Sequence, residues 1–231
     1  MDLNTYDDNN CAECKKASKC FQFLIPDDLE FINSKKKQVT YLKGEQIFKQ
    51  GAFAPYVLYV VEGLVKIFLQ SGSIRQLNIT LAKQGEFMAF TSVFDNDVYN
   101  YSAMALKDTT ICMIDKSALR QLLLKNPDFA LRITSRNCKN ENRYLEIIKN
   151  ISFKQMRGKL ASTLLYLSDA SPEENIYEYL TRQDIADFAS ITVESAVKFI
   201  KEFEKEGLLK LNGKEIEILE RRKLMEIELR G

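Results

Sequence analysis

The segment CAECKKASKC places Cys11, Cys14 and Cys20 within ten residues of a 231-residue chain that holds five cysteines and no histidine. The start, MDLNTYDDNN, is acidic and polar and lacks the apolar core of a secretion signal. No run approaches the ~18 apolar residues of a membrane span. The most apolar run, YVLYVVEGLVKIFL, is broken by Glu62 and Gly63. A cytoplasmic protein is expected, with no membrane partner and with its thiols reduced. In that compartment an odd cysteine count argues against a disulfide framework and for metal or redox use of some thiols. Without histidine, Ser–His or Cys–His nucleophilic catalysis, an imidazole zinc site and a histidine-ligated haem are excluded. No P-loop glycine run and no acid–base pair stands out. The chain therefore reads as a non-enzyme.

A second stretch, TRQDIADFASITVESAVKFIKEFEKEGLL, carries a different chemistry. It fits two short helices around a turn near Ala189–Ile191, the helix-turn-helix pattern of DNA readers. Thr181 is placed to cap the first helix, with Asp184 three residues on, and Thr192 or Ser190 to cap the second. Ile185 and Ala186 pack the first helix, and Val193, Val197 and Ile200 form the inward stripe of the second. Thr192, Glu194, Ser195, Lys198 and Lys201 are left outward or at the leading end, with Arg182 at the head of the first helix. In a DNA reader, glutamate accepts from cytosine N4 and lysine donates to guanine or phosphate. Two-helix units also occur in proteins that bind no DNA. Residues 152–231 hold 13 Lys and Arg against 15 Asp and Glu, so a general basic field is ruled out. Affinity has to come from local placement of Lys198, Lys201, Lys205 and Lys210.

The elements that must position these groups follow from the same reading. With 45% hydrophobic and 28% charged residues the chain is an ordinary globular one, and its net charge of +1 selects no partner. Between residues 39 and 118 the runs VTYL, EQIF, YVLYVVEGLVKIFL, RQLNITLA, EFMAF, YSAMAL and TTICMI alternate with glycines, as in a small barrel, a β-roll or a sandwich. KSALRQLLLKNP then reads as a short helix closing near Pro127. Residues 128–151 lack Gly and Pro and predict one long helix with Phe129, Ile133, Tyr144, Ile148 and Ile151 apolar and Asn137, Asn140 and Glu141 polar. Such a helix either packs on its own domain or pairs with its twin through a weak, register-specific seam. FKQMRGKLASTLLYLSD reads as amphipathic, and KLNG with KEIEIL as a hairpin wing around Asn212–Gly213.

The order of β-roll, long helix and winged helix-turn-helix resembles the Crp/Fnr superfamily of bacterial transcription regulators. LKGEQIFKQG, LYVVEGLVKIF and QGEF resemble the turns of its sensor roll, and TRQDIADFASITVESAVKFIKEFEKEGLL its DNA-reading unit. The resemblance implies an α+β fold: a cysteine-rich segment over 1–30, a cyclic-nucleotide-binding-like β-roll over 31–127, a dimerisation helix over 128–151 and a winged helix-turn-helix over 152–231. It implies a homodimer meeting through Ile133, Asn137, Asn140, Tyr144, Ile148 and Ile151. Double-stranded promoter DNA and RNA polymerase are the implied partners, and Thr192, Glu194, Ser195, Lys198, Lys201 and Arg182 the DNA-facing residues.

Within that family, cyclic-AMP-binding members carry glycine and glutamate after a QGEF-like turn and an arginine before a Ser-Ala pair. Here Ala89 and Phe90 stand in the first two positions and Tyr101 precedes Ser102–Ala103, so no cyclic AMP is expected. Fnr-type oxygen sensors hold a 4Fe-4S cluster with C-x2-C-x5-C and one further cysteine in the roll. Cys11, Cys14 and Cys20 have that spacing, and Cys112 follows Cys20 by 92 positions, where the fourth ligand is implied. Four thiolates also suit zinc, and a cysteine in the apolar run TTICMI is also a common core residue. Oxygen or redox control of dimerisation and promoter binding is thus the implied function. The alternatives are a cluster-free regulator of the same type responding to another small ligand, or a cyclic-nucleotide-binding module. Cys138 receives no role.

Overall fold

The computed structural model describes residues 21, 24–72, 75–94, 97–138, 141–170 and 175–231, with the backbone alone at 141 and 142. Cys11, Cys14, Cys20 and Asn140 lie outside the described residues. Two compact units form: Met1–Gln70 with Leu81–Glu141, and Ser71–Thr80 with Asn142–Gly231.

A short helix α1 (Pro26–Asn33) precedes the strands β1 (Lys36–Tyr41), β2 (Gln46–Phe48), β3 (Tyr56–Glu62), β4 (Leu64–Ser71), β5 (Arg75–Lys83), β6 (Phe87–Met88), β7 (Ser102–Ala105) and β8 (Thr109–Asp115); these belong to the first unit except Ser71 of β4 and residues 75–80 of β5, which belong to the second. They make two four-stranded sheets, ordered β1-β8-β3-β6 and β2-β7-β4-β5. The most apolar run of the sequence is thus two strands in different sheets. The chain changes sheet at Gly63, whose φ is 114° and where a Cβ would stand 2.3 Å from the Thr109 hydroxyl oxygen. Only glycine takes that conformation and that approach together. Val57, Leu58 and Val60 of β3 are fully buried, so this strand has apolar side chains on both faces.

Helix α2 (Lys116–Lys125) follows β8 directly, capped by the Asp115 carboxylate, which accepts from the Ala118 amide at 2.9 Å. Asn126 is extended, as a residue before proline prefers. Pro127 then opens α3 (Pro127–Cys138), and the Asn126 side chain accepts from the Phe129 amide at 3.0 Å. Phe129 and Ile133 of α3 are fully buried in one apolar cluster with Ile32, Val57, Ile114, Leu119 and Leu122.

The second unit contains α4 (Glu141–Phe153), α5 (Met156–Ala170), a 3-10 turn over Ile176–Tyr179, α6 (Arg182–Ala189), α7 (Val193–Lys205), the hairpin β9 (Leu209–Asn212) and β10 (Glu215–Ile218), and α8 (Arg221–Arg230). The sequence reading differs from this at two places, helix α5 and the pair α1 and α8. Of the expected helix over 128–151 the described residues are helical on both sides of 139 and 140, as α3 and α4. Because Phe129 and Ile133 are buried among roll residues, α3 belongs to the first unit, whereas α4 belongs to the second. Helix α5 is not amphipathic: Leu160, Ala161, Ser162, Thr163, Leu164, Leu165 and Leu167 are all buried, because α6, α7 and α8 all pack against it. Helices α1 and α8 were not foreseen.

Candidate functional site

The outward-facing helix α7 is held by local bonds and a short core stripe. At the head of α6 the Thr181 amide donates to the Asp184 carboxylate at 2.8 Å, and the Asp184 amide donates to the Thr181 hydroxyl at 3.0 Å. This reciprocal capping box satisfies two otherwise orphaned N–H groups. Helix α6 ends at Ser190, in the left-handed region, where the Ile191 amide donates back to Ala186 at 3.1 Å. Thr192 then caps α7, its hydroxyl accepting from the Ser195 amide at 3.3 Å. Ser190 is therefore the end of one helix and Thr192 the start of the next. The inward stripe of α7 is Ala196, Ile200 and Phe203, all buried, with Val193 and Val197 only half-buried. Ala196 and Phe203 complete the 3.6-residue period from Ile200 and were legible by that rule.

Opposite that stripe, Thr192, Glu194, Lys198 and Lys201 are exposed and Ser195 is half-exposed. The Glu194 carboxyl is held below the usual carboxylate range by its own backbone N–H and then by the Thr192 hydroxyl, so it is an acceptor at neutral pH. Lys198 stands 3.9 Å from Glu202, an exposed pair one turn apart that contributes little to stability. Arg182 has a different place from the one expected. Its guanidinium donates to the carbonyls of Gly213 (3.3 Å) and Lys214 (3.4 Å), tying the head of α6 to the turn of the β9–β10 hairpin. At the other end of α7, Arg157 makes a two-pronged contact with Glu206 at 2.6 and 2.8 Å. The charged fork thus fixes the tail of α7 to the start of α5.

The expected pairing residues separate. Ile133 has no exposed surface and fills the roll core, so it is not available to a second chain. The Asn137 amide donates to the Ile133 carbonyl of its own helix at 2.7 Å. On α4, however, Tyr144, Ile148 and Ile151 are 45%, 58% and 38% exposed, and Leu145, which the sequence reading passed over, is 57% exposed. They recur at helical spacing and leave one side of α4 apolar.

Of the four sequence-assigned thiols the structure describes Cys112. It lies in mid-strand on β8, paired across to Gln38 of β1 and Tyr59 of β3. It is 6% exposed and belongs to the same apolar cluster as Phe21, Leu24, Phe87 and Phe129. Phe21, directly after Cys20 in sequence, is 4% exposed. Its ring centroid lies 5.8 Å from that of Phe129 and 6.2 Å from that of Phe87. The sequence reading missed Phe21; the available signal was an apolar trio, Phe21, Phe23 and Leu24, between the cysteines and Pro26.

The turn after β6, where Ala89 and Phe90 stand in place of glycine and glutamate, is closed by the chain's own side chains. Ala89 adopts a left-handed conformation (φ 55°), Phe90 behind it is buried, and the Ala89 amide donates to the Tyr101 hydroxyl at 2.6 Å. The Tyr101 ring lies 5.6 Å from Phe48, which stacks on Tyr99 at 4.2 Å.

Two domain families match this chain: a cyclic nucleotide-binding domain over residues 38–126 and a Crp-like helix-turn-helix domain over residues 158–227. The chain is 26% identical over 231 residues to the fumarate and nitrate reduction regulatory protein of Vibrio cholerae, covering 94% of this chain and 90% of that one. It is 24% identical over 181 residues to the cAMP-activated global transcriptional regulator CRP of Salmonella typhimurium, covering 76% and 86%. In fold it is similar to FixK2 from Bradyrhizobium japonicum, with a TM-score of 0.74, 18% identity and 84% and 97% coverage. A transcriptional regulator of the Crp/Fnr family from Eubacterium rectale gives a TM-score of 0.74, 18% identity and 91% and 98% coverage. The Vibrio cholerae, Salmonella typhimurium and Eubacterium rectale proteins are named as regulators, not enzymes, and no helix among the described residues is long and apolar enough to cross a membrane. With a roll of the cyclic nucleotide-binding type, a capped helix-turn-helix and a wing in one chain, the protein belongs to the Crp/Fnr family of DNA-binding transcription regulators.

Proposed function

We propose that this regulator senses oxygen or redox state through a 4Fe-4S cluster held by Cys11, Cys14, Cys20 and Cys112, and that the state of this site governs pairing of two chains and promoter binding. One observation carries the reading: Cys112 and the residue directly after Cys20 are buried in the same apolar cluster. The donor chemistry agrees. In a chain without histidine the cysteines are the anionic soft ligands, and Lys15 and Lys19 adjoin Cys14 and Cys20, where positive charge favours thiolate over thiol. When bound, the cluster supplies an oxygen-sensitive link between the N-terminal segment and β8.

The protein's own residues do the rest. Strand β8 fixes Cys112 between β1 and β3. The apolar side of α4 gives a second chain a surface to pair with, and a homodimer presents two α7 helices to a two-fold symmetric site, about one DNA turn (~34 Å) apart. Glu194, Ser195, Lys198 and Lys201 meet base edges and phosphates, and RNA polymerase is the partner at the promoter.

Anaerobic purification with iron and sulfide analysis and a visible spectrum tests this. Brown protein with four irons and four sulfides per chain, bleached by air and lost in Cys112→Ser, is the expected result for one 4Fe-4S cluster. Colourless, iron-free anaerobic protein overturns it. Cyclic AMP is expected to leave DNA affinity unchanged, since Tyr101 rather than a cation faces the Ala89 amide.

A further inference from the structure

The first unit contains an aromatic contact that neither DNA reading nor thiol ligation uses. Phe21 is 4% exposed, and its ring stands against two others that belong to different parts of the roll. Phe129, at 5.8 Å, is in the first turn of α3. Phe87, at 6.2 Å, is in β6 and touches Tyr59 of β3 (4.9 Å) and Phe90 (6.3 Å). The Leu24 amide donates to the Phe21 carbonyl at 3.1 Å, and Leu24 is itself buried. Burial of this ring offsets the conformational entropy lost in ordering the backbone that carries it.

The helix on the far side of the contact is held to the roll at three points along its length. Phe129 meets Phe21, Ile133 fills the core one turn later, and the Arg136 guanidinium donates to the Gly85 carbonyl, two residues before Phe87. The first of these depends on Phe21, which lies outside both the roll strands and α3. We infer that Phe21 is the positioning residue through which the cysteine segment acts on α3: its ring, seated between Phe87 and Phe129, locks the first turn of that helix to the roll, and whatever fixes or frees Cys20 one residue earlier changes how firmly the ring is seated. The inference rests on the proposed thiol site for the signal, but the lock itself is a contact of the described residues. A phenyl ring suits this use, since aromatic pairs at 4.5–7 Å have preferred tilts and a withdrawn ring leaves a void that small shifts cannot close.

Full-length wild type, Phe21→Ala, Phe21→Leu and Phe129→Leu are to be compared after anaerobic reconstitution with ferrous iron and sulfide, and again as iron-stripped protein. Iron and sulfide content and the visible spectrum report the thiol site; the dimer dissociation constant reports coupling; hydrogen exchange reports the amides of Phe129–Ile133 against those of Val65–Phe68. The lock predicts that Phe21→Ala keeps its iron and spectrum, exchanges at least tenfold faster at Phe129–Ile133 with Val65–Phe68 unchanged, and loses at least tenfold of the difference in dimerisation between loaded and stripped protein. Phe21→Leu is expected to recover at least half of that loss. Phe129→Leu, which leaves the tail untouched, gives the same signature from the other side and replaces Phe21→Ala if that variant does not fold. Full coupling and unchanged exchange in Phe21→Ala or Phe129→Leu overturns the inference. A wild type that takes up no iron overturns the thiol reading instead, and the exchange difference in stripped protein then decides the lock alone.

Discussion

The helix-turn-helix and the β-roll of this chain use opposite means to place their side chains. Helix α7 presents Glu194, Lys198 and Lys201 to solvent, and what orients them is close in sequence: Thr192 capping Ser195, Thr181 and Asp184 capping each other, Ser190 turning the chain between. Cys112 is buried in an apolar cluster and is oriented by cross-strand partners far away, Gln38 and Tyr59. Local devices tolerate a long list of outward residues, so the same scaffold can be re-aimed at another DNA sequence without refolding. A buried thiol offers no such freedom, because each neighbour it touches also holds the roll together.

The comparison is drawn too sharply if α7 also depends on distant packing, and Phe203 tests that. It has no exposed surface, and Arg157 lies over its ring at 5.0 Å. Phe203→Ala is expected to cost about 3–5 kcal/mol, the range for deleting a buried phenyl ring, read by denaturant unfolding followed by circular dichroism. A cost below about 1 kcal/mol would mean that the caps alone hold the helix.

The next effect belongs to the exposed face and leaves stability alone. Glu194→Ala is expected to relax discrimination at one base pair by about 1–3 kcal/mol. Lys201→Ala is expected to weaken all sequences alike and to reduce the salt slope by about 1. Binding to a panel of half-site variants at fixed salt, and to one site across a salt series, separates the two. Equal losses on every sequence for both variants would remove Glu194 from base reading.

Thr181→Ala removes one half of the capping box and is expected to cost about 1 kcal/mol. The loss should appear in the unfolding of the second unit and in DNA affinity for every sequence equally, because it loosens α6 rather than a base contact. Thr192→Ala, which removes a single cap bond, should cost less.

What the sequence made legible follows the same division. Thr181, Asp184, Thr192 and the Asn212–Gly213 turn act over three or four residues, and their roles are visible in a short window. The strand runs were visible too, since glycines mark their ends. Three features were not. Ile133 lies on the apolar stripe of an apparent pairing helix, and only the roll core shows that it faces inward. Arg182 lies beside the recognition helix, and only the folded wing shows that it bonds the carbonyls of Gly213 and Lys214. Phe21 is one aromatic residue in a polar stretch, and its partners are 66 and 108 positions away. Each of these depends on contacts that no local pattern encodes.

The smallest effect contrasts two glutamates. Glu194 on α7 is fully solvated, and its carboxyl is held low by short-range hydrogen bonds. Glu86, between β5 and β6, is pushed up by burial, against the opposing pull of the Lys83 amide, the Lys83 charge and Arg136. A raised carboxyl means that the folded state holds its proton more tightly than the unfolded chain does. Its stabilising contribution is complete below the ordinary carboxylate value and is lost as pH rises through the folded value. The first unit should therefore lose stability over that window, and Glu86→Gln should flatten the profile while keeping an oxygen to accept from the Lys83 amide, 3.1 Å away in the wild type. Thermal midpoints of the two proteins measured from acid to neutral pH check this. A wild-type midpoint that climbs through the window more steeply than the variant's would show that the charges of Lys83 and Arg136 outweigh burial at this turn, and that the β-roll, like the helix-turn-helix, sets its carboxylates by near neighbours.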